Sequence, residues 1–350
     1  MSKMSLNSAP TATYTRRNFL RGVGSVPIVA AAAAAGLGFS ASADAELAPI
    51  QRAGKGSFLK TSVNAYSFTK LLNAKIKHHQ QGMDLYDVVD FCADHNIDGF
   101  DATGHFFPDF PARPIAVSDF KPEELRSLLQ QRKLKFVALS SGELNIDPAF
   151  EGQQLDMHVS NARFVRAVDG LYLQVLDELK PYPRKVVPEE CVRLGKLLTK
   201  LGKRVSDAGV KLGYHNHMNT ISEHPENLQR VMDASDPRYV GLELDTAHYV
   251  AGGGDPAEAI LHYGDRLLFL HLKDVVDLPV DTPGVKYPFK FVELGRGQVN
   301  LPAVMNALQK TKYSGWAIVE LDRVPDKSRT PKGCAAISKD YLQNQLHVAV

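Results

Sequence analysis

The chain has 350 residues, of which 44% are hydrophobic and 23% are charged, and its formal net charge is +2 at pH 7. This composition is typical of a globular protein and excludes the disordered, collagen-like and disulfide-rich classes. The length exceeds that of an average domain, but a single α/β barrel reaches it.

The first 43 residues have the layout of an export signal. Residues 15–21 read T-R-R-N-F-L-R, an apolar run rich in alanine follows over residues 22–39, and Ala41-Ser42-Ala43 forms a small-residue cleavage motif. A basic region, an apolar run and such a motif are typical of a signal peptide. The paired arginines make it resemble a twin-arginine signal. We therefore expect the twin-arginine export machinery to be a partner and the periplasm to be the destination.

An uncleaved membrane anchor is the alternative interpretation, but the apolar run is too short and too weakly hydrophobic to span a bilayer comfortably. Removing residues 1–43 takes away four basic residues and no carboxylate, so the net charge changes from +2 to −2. No basic surface for nucleic acid then remains, and we expect no nucleic-acid partner. We expect residues 44–58 to form a linker and residues 59–350 a single domain.

The three cysteines, Cys92, Cys191 and Cys334, are widely spaced and form no C-x-x-C motif. This odd, scattered set argues against a disulfide framework and against a thiolate metal site. A single disulfide remains open for an exported protein. We expect buried free thiols.

Short apolar runs alternate with helical patterns from residue 61 onward. Strands are predicted at residues 61–67, 99–102, 135–140, 171–176, 211–217, 240–245, 267–273 and 315–320. Helices are predicted at residues 84–95, 121–131, 188–208, 225–234, 255–263 and 301–310, with a closing helix over 330–347. Eight strands that alternate with helices over about 290 residues predict an α/β fold of the (β/α)₈ TIM-barrel type. The first strand is not followed by the glycine-rich turn of a doubly wound sheet.

Four neighbouring strands of this predicted barrel end in polar residues: His215, Asp245, His271 and Glu320. Chemistry in such barrels lies at the carboxyl ends of the strands. A lone histidine or carboxylate there is ordinarily structural or a helix cap, but four in consecutive strands favour a divalent-metal site with nitrogen and oxygen ligands. Mn, Co, Zn, Fe and Mg all remain open as the ion.

The segments around these residues resemble strands five to eight of the xylose-isomerase-like sugar isomerase/epimerase superfamily. The segments are L-G-Y-H-N-H-M, L-E-L-D-T-A-H, L-F-L-H-L-K-D and A-I-V-E-L-D. The superfamily includes ketose 3-epimerases, hydroxypyruvate isomerase, inosose dehydratase and endonuclease IV-type enzymes. Its epimerases bind a metal through Glu, Asp, His and Glu, and the resemblance implies that Asp245, His271 and Glu320 are the last three. It also implies that His248 and Arg296 bind substrate.

One position departs from the epimerase pattern, because His215 stands where the first glutamate is expected. Those epimerases use two metal-bound glutamates as acid and base, and Glu320 alone is retained here. The stretch around His215 is instead similar to inosose dehydratase and to enzymes that eliminate across 3-keto-glycosides.

Five further polar residues are candidates for the site. Glu320 is the first candidate base, with Glu143 or His217 as the acid. Glu143 is also a candidate substrate contact, base or substitute metal ligand, and it is equally a solvated loop charge. Lys273 shares a face with His271 and is a candidate to polarise a carbonyl, with an ion pair to Asp274 as the alternative. Asn216 and His105 are candidate substrate contacts, although aromatic-rich loops such as that around His105 are also ordinary packing.

The first hypothesis is a metal-dependent isomerase or epimerase of an unphosphorylated sugar or keto-sugar, acting by proton transfer next to a carbonyl through an enediolate. The alternative is a dehydratase or lyase that uses the same groups for β-elimination on a keto-sugar or 3-keto-glycoside. A barrel that only binds sugar is a third hypothesis, and an endonuclease IV-like enzyme is a fourth. The sequence leaves open whether the chain forms a homo-oligomer.

Overall fold

The computed structural model describes residues 59–64, 89, 92–94, 97–103, 121–179, 185–279, 282, 287–326 and 328–348. The predicted signal, the predicted linker up to residue 58 and the candidate substrate contact His105 lie outside these residues. The described residues all belong to one compact unit, Ser42–Val350. The helices of this described part include none with the length and apolar character needed to cross a membrane.

Eight parallel strands of the described chain close into a barrel, which confirms the predicted fold class. They are β1 (Leu59–Asn64), β2 (Gly99–Thr103), β3 (Lys135–Leu144), β4 (Tyr172–Asp177), β5 (Lys211–His215), β6 (Val240–Asp245), β7 (Leu267–Leu272) and β10 (Gly315–Val319). The order around the barrel is β1-β10-β7-β6-β5-β4-β3-β2. Barrel strands that follow one another in the chain are therefore neighbours in the barrel, and their carboxyl ends lie together at one rim.

The described helices surround this barrel. They are α1 (Pro122–Arg132), α2 (Glu151–Ala167), α3 (Pro188–Asp207), α4 (Pro225–Asp233), α5 (Thr246–Ala251), α6 (Pro256–Tyr263), α7 (Leu301–Lys310) and α8 (Pro331–Asp340). In α3, a buried apolar stripe at helical spacing includes Cys191, Leu194, Leu198 and Leu201. This spacing places one face of the helix against the barrel.

Helix starts follow from local chemistry. Proline occupies the first turn of six of these helices, where its missing N–H removes no hydrogen bond. Asp255 caps α6 and Asn300 caps α7, each by accepting a backbone N–H with its side chain. The predicted closing helix is α8, continued by a π-helical turn at Tyr341–Gln345.

Large side chains fill the barrel interior below the carboxyl rim. Phe269 and Trp316 are buried there, and the ring of Phe269 stacks on Tyr172 with centroids 4.8 Å apart. A Cβ on Gly213 would lie 2.8 Å from the Phe269 ring, so this glycine makes room for it. Phe269 lies two residues before His271 on β7, so the two side chains point to the same face of the strand. The apolar barrel interior is therefore directly next to the polar residues of the rim.

Three elements differ from the sequence-based expectation. Helix α2 was not predicted, nor was the short helix α5. The three prolines of residues 275–289 are typical of a βα loop, but the two ends of this segment pair in an antiparallel hairpin of β8 (Asp274–Asp277) and β9 (Phe289–Val292). This hairpin follows β7 at the carboxyl rim, so it flanks the candidate site.

Candidate active site

The predicted metal ligands converge at the carboxyl rim. His215 and Asp245 are the last residues of β5 and β6, His271 is the penultimate residue of β7, and Glu320 directly follows β10. All except Glu320 are fully buried or nearly so. Ligand atoms of His215, Asp245 and His271 lie within 4.8 Å of one another, close enough for all three to hold one metal ion.

His271 is at the centre of this cluster. Its Nδ1 lies 2.9 Å from Oε2 of Glu320, and its Nε2 lies 3.0 Å from Oδ2 of Asp101 and 2.7 Å from Oε1 of Glu243. Burial opposes a charge on this imidazole, but the surrounding carboxylates outweigh burial and raise the pKa of His271 well above its ordinary value. Burial raises the pKa of Asp101 to about 6, although its contact with His271 acts in the other direction.

The cluster contains buried polar atoms that make no hydrogen bond within the described structure. These atoms are Nδ1 of His215, both carboxylate oxygens of Glu243 and Oδ2 of Asp245. The short contacts of Glu243 with the imidazoles are therefore electrostatic approaches rather than well-directed hydrogen bonds. Buried polar atoms without partners are costly, and they mark places where a protein binds an ion or a ligand.

A divalent metal fits this arrangement. Imidazole nitrogens and carboxylate oxygens are the ligands that Zn²⁺ and related ions accept. His215 also belongs to a second group of close imidazoles, with His217 and His248. The group of His215, Asp245 and His271 is the better candidate, because its carboxylate offsets part of the charge of the cation.

Lys273 brings a buried ammonium group to the same place. Its Nζ lies 3.0 Å from Oε2 of Glu320, 2.5 Å from Oδ1 of Asp322 and 3.7 Å from Oδ2 of Asp245. It also lies over the ring of Phe291 on β9, 4.2 Å from its centroid. Burial disfavours the charge, but the carboxylates of Asp322, Glu320 and Asp245 prevail and raise the pKa of Lys273. The raised pKa favours a role as a cation over a role as a base.

His217 and His248 lie beside the metal candidates with their ring centroids 3.7 Å apart. Nδ1 of His217 lies 2.7 Å from the carbonyl oxygen of Met218, which only accepts, so Nδ1 carries the proton and Nε2 the lone pair. The backbone N–H of Met218 donates to Nδ1 of His248 over 3.2 Å, which in the neutral ring leaves the proton on Nε2. Nζ of Lys273 lies 3.4 Å from this Nε2, a longer approach than that of the backbone N–H. The two rings therefore have opposite tautomers.

Both imidazoles are neutral in this environment. Burial, with the neighbouring charges of His215 and Lys273, lowers the pKa of His217 to about 3. Burial likewise lowers the pKa of His248 well below its ordinary value. The wall of the site thus offers one hydrogen-bond acceptor, Nε2 of His217, next to one donor, Nε2–H of His248.

A buried carboxylate holds the loop that carries His217. Asp177, the last residue of β4, accepts hydrogen bonds from the hydroxyl of Tyr214 at 2.6 Å and from the backbone N–H of Ile221 at 2.5 Å. Asn216 binds both backbone groups of Asp245 through its amide. Asn216, expected to contact substrate, joins the ends of β5 and β6 through this amide.

Two other predicted site residues lie away from this buried cluster. The side chains of Glu143 on β3 and of Arg296 after β9 are exposed. The loop of Arg296 is nevertheless fixed, because the carboxylate of Asp274 accepts the backbone N–H groups of Gly295 and Gly297 at 3.0 and 2.9 Å. A Cβ on Gly297 would lie 2.1 Å from that carboxylate, so only glycine fits there.

Sequence reasoning missed the contribution of three carboxylates. Asp101 on β2 contacts His271 across 170 positions of sequence, and no local pattern announces such a pairing. Strand alternation puts Glu243 on the same face as Asp245, and this alternation is the signal in the sequence that could have found it. In the sequence, Asp322 is recognisable only as a polar residue after the eighth barrel strand. Its contact with Lys273 is apparent only in the folded structure.

Comparisons with known proteins agree with this architecture. A curated relative, the inosose dehydratase of Lacticaseibacillus casei, is 30% identical over 249 residues, covering 65% of this chain and 82% of that protein. The IOLI protein, whose crystal structure contains a bound zinc atom, has a TM-score of 0.66 at 18% identity, covering 83% of this chain and 99% of that one. An L-ribulose 3-epimerase has a TM-score of 0.61 at 13% identity, with coverage of 83% and 95%. At these identities the two structures show the fold alone.

The family of xylose isomerase-like TIM barrels matches residues 89–340, which include seven of the eight barrel strands and every residue of the candidate site described above. The closed parallel barrel agrees with that match. This chain therefore belongs to the xylose isomerase-like TIM barrel family.

Proposed function

We propose that this chain is a divalent-metal-dependent dehydratase that removes water from a polyhydroxylated ketone, such as an inosose or a keto-sugar. Its superfamily contains sugar isomerases, epimerases and dehydratases, and the first relatives by sequence are inosose dehydratases. The sequence alone ranked isomerisation or epimerisation first and elimination second. The relatives and the geometry of the site favour the reverse order.

The observation that carries this proposal is the close approach of His217 and His248, whose contacts with the backbone of Met218 imply opposite tautomers. Inversion at one carbon requires proton-transferring groups on both faces of that carbon. Here one acceptor and one donor lie side by side, with ring centroids 3.7 Å apart. A neighbouring acceptor and donor suit removal of a proton from one carbon and departure of a hydroxyl from the next.

In the proposed reaction, Nε2 of His217 takes the proton from the carbon next to the ketone. The low pKa of this imidazole keeps its lone pair available before the step, at the expense of basicity, and makes the imidazolium a ready proton donor after it. The electron pair of that C–H bond forms the C=C bond as the C–O bond to the β-hydroxyl breaks. The imidazolium of His217 returns the proton to the departing hydroxide, which leaves as water. The products are an unsaturated ketone, one water molecule and the neutral imidazole with which the cycle began.

The other residues of the site would bind the substrate and the metal and would stabilise the negative charge that develops in the reaction. The ammonium of Lys273 donates a hydrogen bond to the oxygen on which negative charge develops, and Nε2–H of His248 orients a substrate hydroxyl. His215, Asp245, His271 and Glu320 would hold the metal, which when bound polarises the ketone. Glu320, the first candidate base from sequence, is assigned to the metal because His271 and Lys273 engage its carboxylate.

The experiment that tests this function compares three substrate classes: an inosose, a 3-keto-glycoside and a free ketose. The full chain is loaded with Zn²⁺ or Mn²⁺, and the near-ultraviolet absorbance of each mixture is followed with and without a chelator. We expect metal-dependent growth of the absorbance of a conjugated ketone with at least one of the first two. Conversion of a substrate into an isomer without that absorbance would overturn the proposal.

We further propose that the protein acts in the periplasm. Twin-arginine transport accepts folded proteins, so a buried site can acquire its metal in the cytoplasm before it meets the competing ions outside. Such competition matters because Cu²⁺ and Zn²⁺ prevail over most other divalent ions on affinity alone.

A further inference from the structure

We propose that Glu243 is the positioning residue that orients both His215 and His271 toward the metal. In this arrangement His215 binds the ion through Nε2 and His271 binds it through Nδ1. The inference deepens the proposed metal-dependent function and rests on it.

Glu243 lies between the two histidines in the barrel wall. On β6 it is the register partner of His215 on β5, and on β7 it pairs with Phe269, two residues before His271. Alternation along the strand directs its side chain to the same face as Asp245. Its exposed fraction is 0%, so the carboxylate is fully enclosed.

One carboxylate oxygen reaches both imidazoles. Oε1 of Glu243 lies 3.2 Å from Nδ1 of His215 and 2.7 Å from Nε2 of His271. Within the described part of the chain, no lysine or arginine nitrogen lies within ion-pair distance of this carboxylate. The imidazole N–H groups of His215 and His271 are therefore the groups that can offset the negative charge of Glu243. Burying a carboxylate without a paired cation lowers the stability of the folded protein substantially.

The contacts of Glu243 determine which ring nitrogen is left to bind metal. The negative charge of Glu243 favours the proton on the ring nitrogen that lies nearest to it, and the lone pair is then on the other nitrogen. That nitrogen is Nε2 in His215 and Nδ1 in His271. Nδ1 of His271 lies 2.9 Å from Glu320, which is itself a candidate ligand, whereas its Nε2 faces Asp101 as well as Glu243.

A carboxylate behind a metal-binding imidazole fixes the orientation and tautomer of the ring and makes it a stronger ligand. A single carboxylate that serves two such rings also sets their positions relative to each other. The sequence supplies Glu243 two positions before the ligand Asp245, so one strand carries both a ligand and the residue that orients two others.

The test measures metal affinity of the full chain by competition with a chromogenic zinc chelator, with no substrate present. We expect Glu243→Gln to weaken Zn²⁺ binding by about 10- to 100-fold. Glu293→Gln is the matched control, because Glu293 is equally buried but binds Arg329 outside the cluster. We expect the control to retain the wild-type affinity. Equal affinity of Glu243→Gln and wild type, or no Zn²⁺ binding by wild type, would overturn the inference.

A second measurement uses the wild-type chain and therefore tests the proposal even if Glu243→Gln does not fold. In ¹⁵N-labelled, zinc-loaded wild type, imidazole NMR shifts should assign the metal-bound nitrogen to Nε2 of His215 and to Nδ1 of His271. The opposite assignment for either ring would contradict the proposal. Neither readout uses catalysis, so a chain that binds zinc in this way but dehydrates no substrate would refute the proposed function and leave the role of Glu243 intact.

Discussion

His217 and His248 lie with their ring centroids 3.7 Å apart and their planes tilted by 35°, and the backbone of Met218 hydrogen-bonds to both rings. Because the carbonyl accepts from one ring and the N–H donates to the other, the two imidazoles cannot exchange roles without breaking this pattern. The loop after β5 therefore presents an acceptor and a donor in a fixed order. We therefore expect mutations of His217 and of His248 to have different kinetic effects.

Replacing His217 by Gln is expected to reduce kcat by about 10²- to 10⁴-fold, because the change removes the proposed base. Metal content should remain near that of wild type, because the metal is assigned to other side chains. His248→Gln should raise KM more than it lowers kcat, because the donor orients substrate. Steady-state kinetics with elemental analysis distinguishes the two variants. Near-normal kcat in His217→Gln would remove this residue from the mechanism.

Asp245→Ala and His271→Ala should each lose the metal and the activity together, because each removes a proposed ligand. Treatment of wild type with a chelator should do the same, and added Zn²⁺ or Mn²⁺ should restore activity only in wild type. Glu293→Gln is the control for a buried carboxylate elsewhere. Full activity of rigorously chelated wild type would show that the reaction needs no metal.

The three thiols should be unreactive in the native chain. Cys92, Cys191 and Cys334 are all free and buried, and burial raises the pKa of Cys92 and of Cys334 to about 12. Since the thiolate is the nucleophile, a raised pKa keeps the reactive fraction small at pH 8 and still small at pH 9. A colorimetric thiol reagent should detect almost none before denaturation and three afterwards without reductant. One thiol after denaturation would reveal a disulfide.

Export is predicted to depend on the arginine pair. Replacing Arg16 and Arg17 by Lys should leave precursor in the cytoplasm, whereas the wild-type mature protein should begin near Asp44 in a periplasmic fraction. Cell fractionation followed by N-terminal sequencing makes both measurements. Unchanged export of the double variant would exclude the twin-arginine route.

The barrel could be predicted because its strands are short apolar runs that end in polar residues. Strand β6 has the predicted bounds, Val240–Asp245, and helix α7 also has its predicted bounds, Leu301–Lys310. Helix α2 escaped prediction because its inner face includes the buried polar side chains of Gln154, His158 and Asn161, which interrupt the apolar period. The hairpin of β8 and β9 escaped it because its strands are four residues long and three prolines lie between residues 275 and 289.

Part of the site could be predicted as well. Parallel strands bring their carboxyl ends to one rim, and this alone places His215, Asp245 and His271 together. The contacts of Asp101 and Asp322 could not be foreseen, because side-chain distances across the barrel depend on packing that no local pattern encodes. The opposite tautomers of His217 and His248 depend on a turn at Met218, whose backbone geometry the sequence does not display.

The most direct test of a metal-dependent dehydratase is the mass of the product. The full chain, loaded with Zn²⁺ or Mn²⁺, is incubated with an inosose and with a 3-keto-glycoside, and each mixture is analysed by mass spectrometry beside a chelated control. We predict a product lighter than the inosose by one water molecule, and from the 3-keto-glycoside a product lighter by its aglycone alcohol, because the glycosidic oxygen is then the β-leaving group. Both products should form with the metal and be absent without it. A product of unchanged mass, differing from the substrate only in configuration or in the position of its carbonyl, would contradict the account and identify an epimerase or an isomerase.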